Sequence, residues 1–203
     1  MSQRRIAQWD KRAATFDAQV AGLERRFLAS SRRWVCARAH GRTLEVAIGT
    51  GASLPHYAAD IELTAIEWSP AMLDVARQRA MSLGRAVDLH VGDATALPFG
   101  DDSFDAVVCT YALCSIPDVR AALQEAIRVV RPGGSILLAD HVLASSWPLQ
   151  LVQRALEVVS VPLQGEHYTR RPSRLLAELG LTVEASARRH AGVIERVHAR
   201  VPD

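Results

Sequence analysis

The stretch 43-TLEVAIGTGASLPHY-57 decides the fold. An apolar run over 43–48, interrupted only by Glu45, ends in a turn built on Gly49, Thr50 and Gly51, and a short helix is expected near 53–59. A second apolar run, 61–67, ends in Glu67. Strands that finish side by side, one on a Gly-x-Gly turn and the other on a carboxylate, frame a crevice for an adenosine, whose ribose hydroxyls need an acceptor.

The turn itself narrows the choice of nucleoside. A dinucleotide fold places a third glycine three residues after the second, so that a helix N-terminus meets a pyrophosphate. Here Gly51 is followed by Ala52, Ser53 and Leu54, and no Gly-Lys-Ser/Thr end offers a triphosphate cradle. A loop that lets backbone approach a ligand without cradling phosphate fits S-adenosylmethionine, with S-adenosylhomocysteine as its product. A nicotinamide-dependent Rossmann reductase is the alternative enzyme, opposed by the missing glycine and by the lack of a Tyr-x-x-x-Lys pair. A non-catalytic S-adenosylmethionine-binding regulatory protein is the alternative of another class.

Outward from that stretch, apolar runs alternate with helical patterns: helices over 4–17 and 21–39, strands 43–48 and 61–67, helix 70–83, strands 86–91 and 104–110, helix 118–130 and strand 134–141. Such alternation predicts an α/β domain, a mostly parallel sheet with helices on both faces. Pro70 and Gly84 mark the ends of one helix, and Pro132, Gly133 and Gly134 a turn. Beyond His141 the rhythm changes. Residues 147–163 read as a helix apolar around more than half its circumference, and 182–189 with 193–200 as a closing hairpin. The chain divides into a helical cap (1–41), a cofactor-binding core (42–142) and a substrate-side helix, lid segment and hairpin (143–203), all within one domain spanning 1–203.

With 203 residues and 49% hydrophobic content, the chain can bury a substantial core. No apolar run approaches the roughly 20 residues of a membrane span, and the first residues lack a signal peptide's apolar centre, so a cytoplasmic protein is expected. Cys36, Cys109 and Cys114 show no metal-ligand spacing and read as reduced core thiols; no metal site is expected. Net charge is only +2, but residues 1–41 carry nine Lys/Arg against three Asp/Glu, and 42–203 fifteen against nineteen. The arginines recur in pairs among apolar residues, the pattern of a solvated helix face. Nucleic acid is not suggested. Peripheral contact with an anionic membrane is a minor reading, and monomer or homodimer stays open.

The expected cofactor residues follow from strand ends. Glu45, in the first strand, could reach the cofactor's amino acid or form an ion pair; Glu67 could hold both ribose hydroxyls. Asp93 after Gly92 could accept from an adenine amine, with Ala94 allowing backbone contact and Trp68 and Met72 flanking the ring. Thr110, Tyr111 and Ala112 should border the reacting methyl. Asp140, His141, Glu166, His167 and Tyr168 supply acid and base groups near the mouth. Tyr111, His141 and His167 are the candidate catalytic residues, histidine being able to titrate in the useful range.

Together EVAIGTG, IEWSPAMLDVARQRA, VGDATALPF, DDSFDAVVCTYALCSIPD and RVVRPGGSILLADH make the chain resemble class I S-adenosylmethionine-dependent methyltransferases of the ubiquinone/menaquinone-biosynthesis type over roughly 43–142. The resemblance implies a seven-stranded sheet of order 3-2-1-4-5-7-6 with the seventh strand antiparallel. It also carries cofactor binding onto Glu45, Gly49, Gly51, Glu67, Asp93 and 110–112, with Ala47 just before the turn and Thr50 within it as further cofactor-binding residues. Ala47 stands where that family usually has its first glycine, and its methyl should narrow the approach to the methionine part. The segment from VVCTYALCSIPD through ADHV to the later histidine looks most like the methyltransferase-like thiol methyltransferases and the bacterial phosphatidylethanolamine N-methyltransferases. The implied reaction is in-line methyl transfer to a small hydrophobic acceptor, a thiol, amine or phenol/quinone.

Overall fold

The computed structural model describes residues 3–203, apart from the side chain of Gln164. Among the described residues seven strands form one sheet: β1 (Arg42–Val46), β2 (Glu62–Glu67), β3 (Asp88–Val91), β4 (Phe104–Thr110), β5 (Val130–His141), β6 (Thr182–Arg189) and β7 (Ile194–Arg200). Their order is β3-β2-β1-β4-β5-β7-β6, with β7 antiparallel to both neighbours and the other pairs parallel. Both the expected order and the antiparallel seventh strand are present. Because the chain leaves β1 toward β2 and later returns on its other side as β4, a crevice opens beyond the carboxyl ends of these strands.

The helices are α1 (Gln3–Leu23), α2 (Ala29–Cys36), α3 (Pro70–Ser82), α4 (Val119–Val129), α5 (Trp147–Gln164) and α6 (Pro172–Glu178). Successive strand side chains alternate between sheet faces. Leu44, Val46, Val107, Ile136 and Leu138 join Leu123 and Val129 of α4 and Leu176 of α6 in one core. Leu63, Ala65, Val108 and Leu137 join Val35 and Cys36 of α2 and Leu73 and Ala76 of α3 in the other. Cys36, Cys109 and Cys114 are free and buried. Among the described residues no helix is long and apolar enough to cross a membrane.

Local departures from the expected elements have identifiable causes. The two N-terminal helices do not break near residue 20: α1 runs on to Leu23, a single π-helical turn covers Glu24–Leu28, and α2 follows. The helix expected over 53–59 is only a 3-10 turn, Leu54–His56, because Tyr57 is already extended (φ −78°, ψ 147°). Pro132, Gly133 and Gly134 lie inside β5 as an irregularity, the register passing from Phe104↔Val130 to Ala106↔Ser135. Helix α6 was not expected, although Pro172 begins it and Gly180 follows it.

Candidate cofactor and acceptor cavity

A cavity of about 640 Å³ lies beyond β1, β2 and β4 and is lined by Ala47, Gly49, Thr50, Glu67, Trp68, Met72, Asp93, Ala94, Thr110 and Tyr111. At its base, the Gly49 amide donates to Glu67 Oε2 (2.9 Å) and the Ser69 amide to Oε1 (3.0 Å). Each carboxylate oxygen keeps further acceptor capacity. Burial raises the Glu67 carboxyl above its usual range, while those backbone bonds oppose the shift. Gly49 has φ +57°, and a Cβ there would meet no atom within 4 Å, so the backbone itself borders open space.

The two glycines of the turn do different work. Gly51 does not line the cavity: at φ +78°, its Cβ would sit 2.8 Å from Leu54 Cδ1 and 3.3 Å from Ala76 Cα. It lets the loop settle on α3. Ala47 does line the cavity, and holds φ +57°, a left-handed conformation that favours glycine. Glu45 also lies outside the lining. Leu44 and Val46 point toward α4, so alternation turns Glu45 to the opposite face, where Ser53 Oγ donates to its Oε1. Its Oε2 and the Tyr57 hydroxyl are buried with no hydrogen bond among the described residues, and burial raises the carboxyl to about 7.

Beyond β3, Asp93 Oδ1 accepts from the Thr95 amide (2.9 Å) and hydroxyl (2.8 Å), which orients the carboxylate. The cavity is roofed by α1 through Trp9, Arg12, Phe16 and Val20. Two acids fasten that roof. Asp10 Oδ1 accepts from Ser69 Oγ (2.6 Å) and the Ala71 amide (3.2 Å); Asp17 accepts from Thr50 Oγ1 (2.7 Å) and pairs with Arg79. Against β4, Arg32 forms a two-pronged pair with Glu24 (both 3.0 Å), donates to Thr110 Oγ1 (2.5 Å) and lies 5.0 Å from the Tyr111 ring. Arg32 is buried, unlike the exposed Arg25, Arg26 and Arg33, so the solvated-face reading fails for it. Asp10, Asp17, Glu24 and Arg32 escaped the sequence reading. Their only local signal was acid and base at helical spacings.

Beyond the ends of β4 and β5, Tyr111 (φ +56°) donates its hydroxyl to Leu28 O (2.9 Å), and its ring lies 5.2 Å from that of His141. Burial holds the Tyr111 phenol and the Cys114 thiol in their protonated forms, well above their ordinary ranges. The fold gathers Cys114, Asp140 and His141 with ligand-type atoms within 4.8 Å, although nothing in their spacing suggested it. Asp140 there accepts the Cys114 amide (3.2 Å) and the His141 amide (2.7 Å), which gives it a structural task joining the end of β5 to the loop after β4. Glu166 and Tyr168 line the cavity, but His167 does not. Its amide donates to Cys114 O (2.8 Å), anchoring the segment after α5 to the loop after β4.

Residues 44–138 match the family model described as a methyltransferase domain. Over that stretch the chain is similar to a methyltransferase domain. A phosphatidylethanolamine N-methyltransferase of Cereibacter sphaeroides is 37% identical over 118 residues, 57% of this chain and 58% of that protein. A demethylmenaquinone methyltransferase of Renibacterium salmoninarum is 34% identical over 154 residues, 72% of this chain and 63% of that protein. The chain thus covers less than two thirds of either relative's length. A solved S-adenosylmethionine-dependent methyltransferase of Thermotoga maritima superposes with a TM-score of 0.71 over 95% of this chain and 97% of its own, at 22% identity, which shows the shared fold. The methyltransferase domain implies S-adenosylmethionine as cofactor, and the cavity fits it: an acceptor carboxylate faces the glycine turn, and the slot beside it is bounded by Ile66, Trp68 and Met72.

Proposed function

We propose that this methyltransferase domain transfers a methyl group from S-adenosylmethionine to a small, largely apolar acceptor of the thiol, amine or phenol/quinone type. The observation that carries this reading is the buried Glu67 carboxylate bonded to the Gly49 amide inside a cavity that continues past Tyr111 to His141. Glu67 would hold the ribose hydroxyls, Asp93 the adenine amine, Trp68 and Met72 the faces of the base, and the backbone at Ala47 and Gly49 the methionine part. When bound, the cofactor supplies a methyl group already activated by its sulfonium. The protein's contribution is then orientation and exclusion of water, for which Trp9, Phe16 and Leu28 provide apolar walls. Where the acceptor must lose a proton, His141 is the residue to take it, since Tyr111 and Cys114 hold their own protons. His167, outside the lining, serves as an anchor for the loop carrying Glu166 and Tyr168.

Titration calorimetry tests the cofactor assignment. S-adenosylhomocysteine should bind and NADH should not, and Glu67→Gln should weaken binding by about tenfold to a hundredfold, the loss of charge-assisted bonds to the ribose. NADH binding in its place, or an unchanged affinity in Glu67→Gln, would sink the reading. Labelled methyl donor presented with thiols, amines, phenols and quinols then identifies the acceptor atom. Tight cofactor binding with no transfer across that panel would favour a regulatory protein.

A further inference from the structure

Helix α5 is mounted with its polar side toward the protein. Gln153 and Ser160 are buried, and with Gln150 and Glu157 they form one stripe turned inward. Gln153 accepts from the Ala144 amide (2.7 Å) and donates to Val142 O (2.9 Å); Gln150 donates to Ala144 O (3.0 Å). Glu157 accepts from the Thr169 amide (2.8 Å), and Ser160 donates to Glu166 O (2.9 Å). The opposite side is apolar and open: Trp147 is 72% exposed, Leu151 53%, Leu156 53%, Val158 74% and Leu163 58%. At 100° per residue these side chains share an arc of about 200° that contains no polar residue.

We infer that this face of α5 docks the protein onto an anionic phospholipid surface, the helix lying in the interface without crossing it. A basic rim supports lipid as the occupant. Gln8 of α1 donates to Leu163 O (3.0 Å), and the Arg5 guanidinium packs against Gly165, so the start of α1 adjoins the end of α5. Arg4 and Arg5 therefore lie near that end, with Lys11 about two turns further along α1, while Arg154 borders the apolar arc. The acids of α1 are turned away: Asp10 toward Ser69 and Asp17 toward Thr50. An apolar face edged by cations suits acyl chains beneath anionic headgroups. A second copy suits it less well, since a helix–helix seam needs a narrower stripe than this arc.

The same two elements frame the cavity, through Trp9 and Phe16 of α1 and through Glu166 and Tyr168 just after α5. On the methyl-transfer reading above, on which this one point rests, an amphiphilic acceptor would pass from the lipid into the cavity without entering bulk water.

Sedimentation with vesicles of equal parts phosphatidylcholine and phosphatidylglycerol tests the docking with neither cofactor nor acceptor present, so it succeeds or fails separately from methyl transfer. The protein should sediment with these vesicles, bind pure phosphatidylcholine less and release as salt rises. The double change Leu151→Asp with Val158→Asp, at exposed positions, should lower vesicle affinity by about tenfold or more while leaving the melting temperature in place. Arg4→Gln with Lys11→Gln gives an independent readout, a weaker preference for the anionic vesicles. Absence of sedimentation, binding unaffected by both pairs of changes, or a stable dimer that the aspartates split and that ignores vesicles would each overturn the inference.

Discussion

At position 47 an alanine occupies backbone that glycine takes without strain, with φ +57° beside the cavity. A left-handed alanine costs about 1–2 kcal/mol, part of which the greater freedom of an unfolded glycine chain takes back. Ala47→Gly should therefore stabilise the fold by up to about 1 kcal/mol, read as a higher urea midpoint at unchanged slope. A lower midpoint would show that the methyl packs usefully and outweighs the strain. The neighbouring residues show how far the site was legible. Glu67 ends its strand, so its reach into the crevice could be read directly from its place in the sequence. Glu45 could not be placed that way, because a residue inside a strand is sent sideways by alternation, here toward Ser53, Cys36 and Tyr57. Gly49 and Gly51 look equivalent in the motif, yet one borders the cavity and the other makes room for Leu54 and Ala76.

At the scale of elements, α1 is held over the Glu67 end of the cavity by polar attachments rather than by a buried apolar stripe. Ala13 is its one buried residue among those described, and its fixings to the body include Asp10 at the start of α3 and Asp17 at Thr50 and Arg79. Removing both carboxylates in Asp10→Ala with Asp17→Ala should loosen the roof while leaving the sheet intact. The expected result is faster dissociation of S-adenosylhomocysteine, by about thirtyfold if each of the two carboxylates contributes about 1 kcal/mol, measured by stopped-flow displacement. An unchanged rate would mean that α1 does not gate that end. The sheet and α3 and α4 were readable because strand runs, prolines and glycines punctuate them locally. The roof was not, because the approach of α1 to α3 joins side chains far apart in sequence. The break between α1 and α2 was also misplaced: a π-helical turn keeps the chain helical through Glu24–Leu28, so no local stop signal marks it.

For the whole molecule, buried acids set the shape of stability against pH. Burial lifts Glu45 to about 7 from an ordinary 4.5, with Ser53 and Arg32 opposing the shift; it raises Glu67 and Asp140 as well. A folded state that holds a proton more tightly than the unfolded chain is favoured at low pH. The Glu45 contribution should therefore be intact below about pH 4.5, decline as pH rises through about 7, and level off above, an overall loss of about 3 kcal/mol as an order of magnitude. Partly buried histidines act in the other direction. His56, His167 and His198 are lowered by burial, so protonating them as pH falls below their usual range costs stability and masks part of the acid effect. The comparison that isolates Glu45 is with Glu45→Gln, which can still accept from Ser53 but cannot ionise. Urea unfolding at about pH 5 and about pH 8 should show the wild type losing more stability than the variant between the two, with the histidine contribution common to both. Equal losses would mean that Glu45 stays ionised in the fold, with the buried Arg32 neutralising it in place.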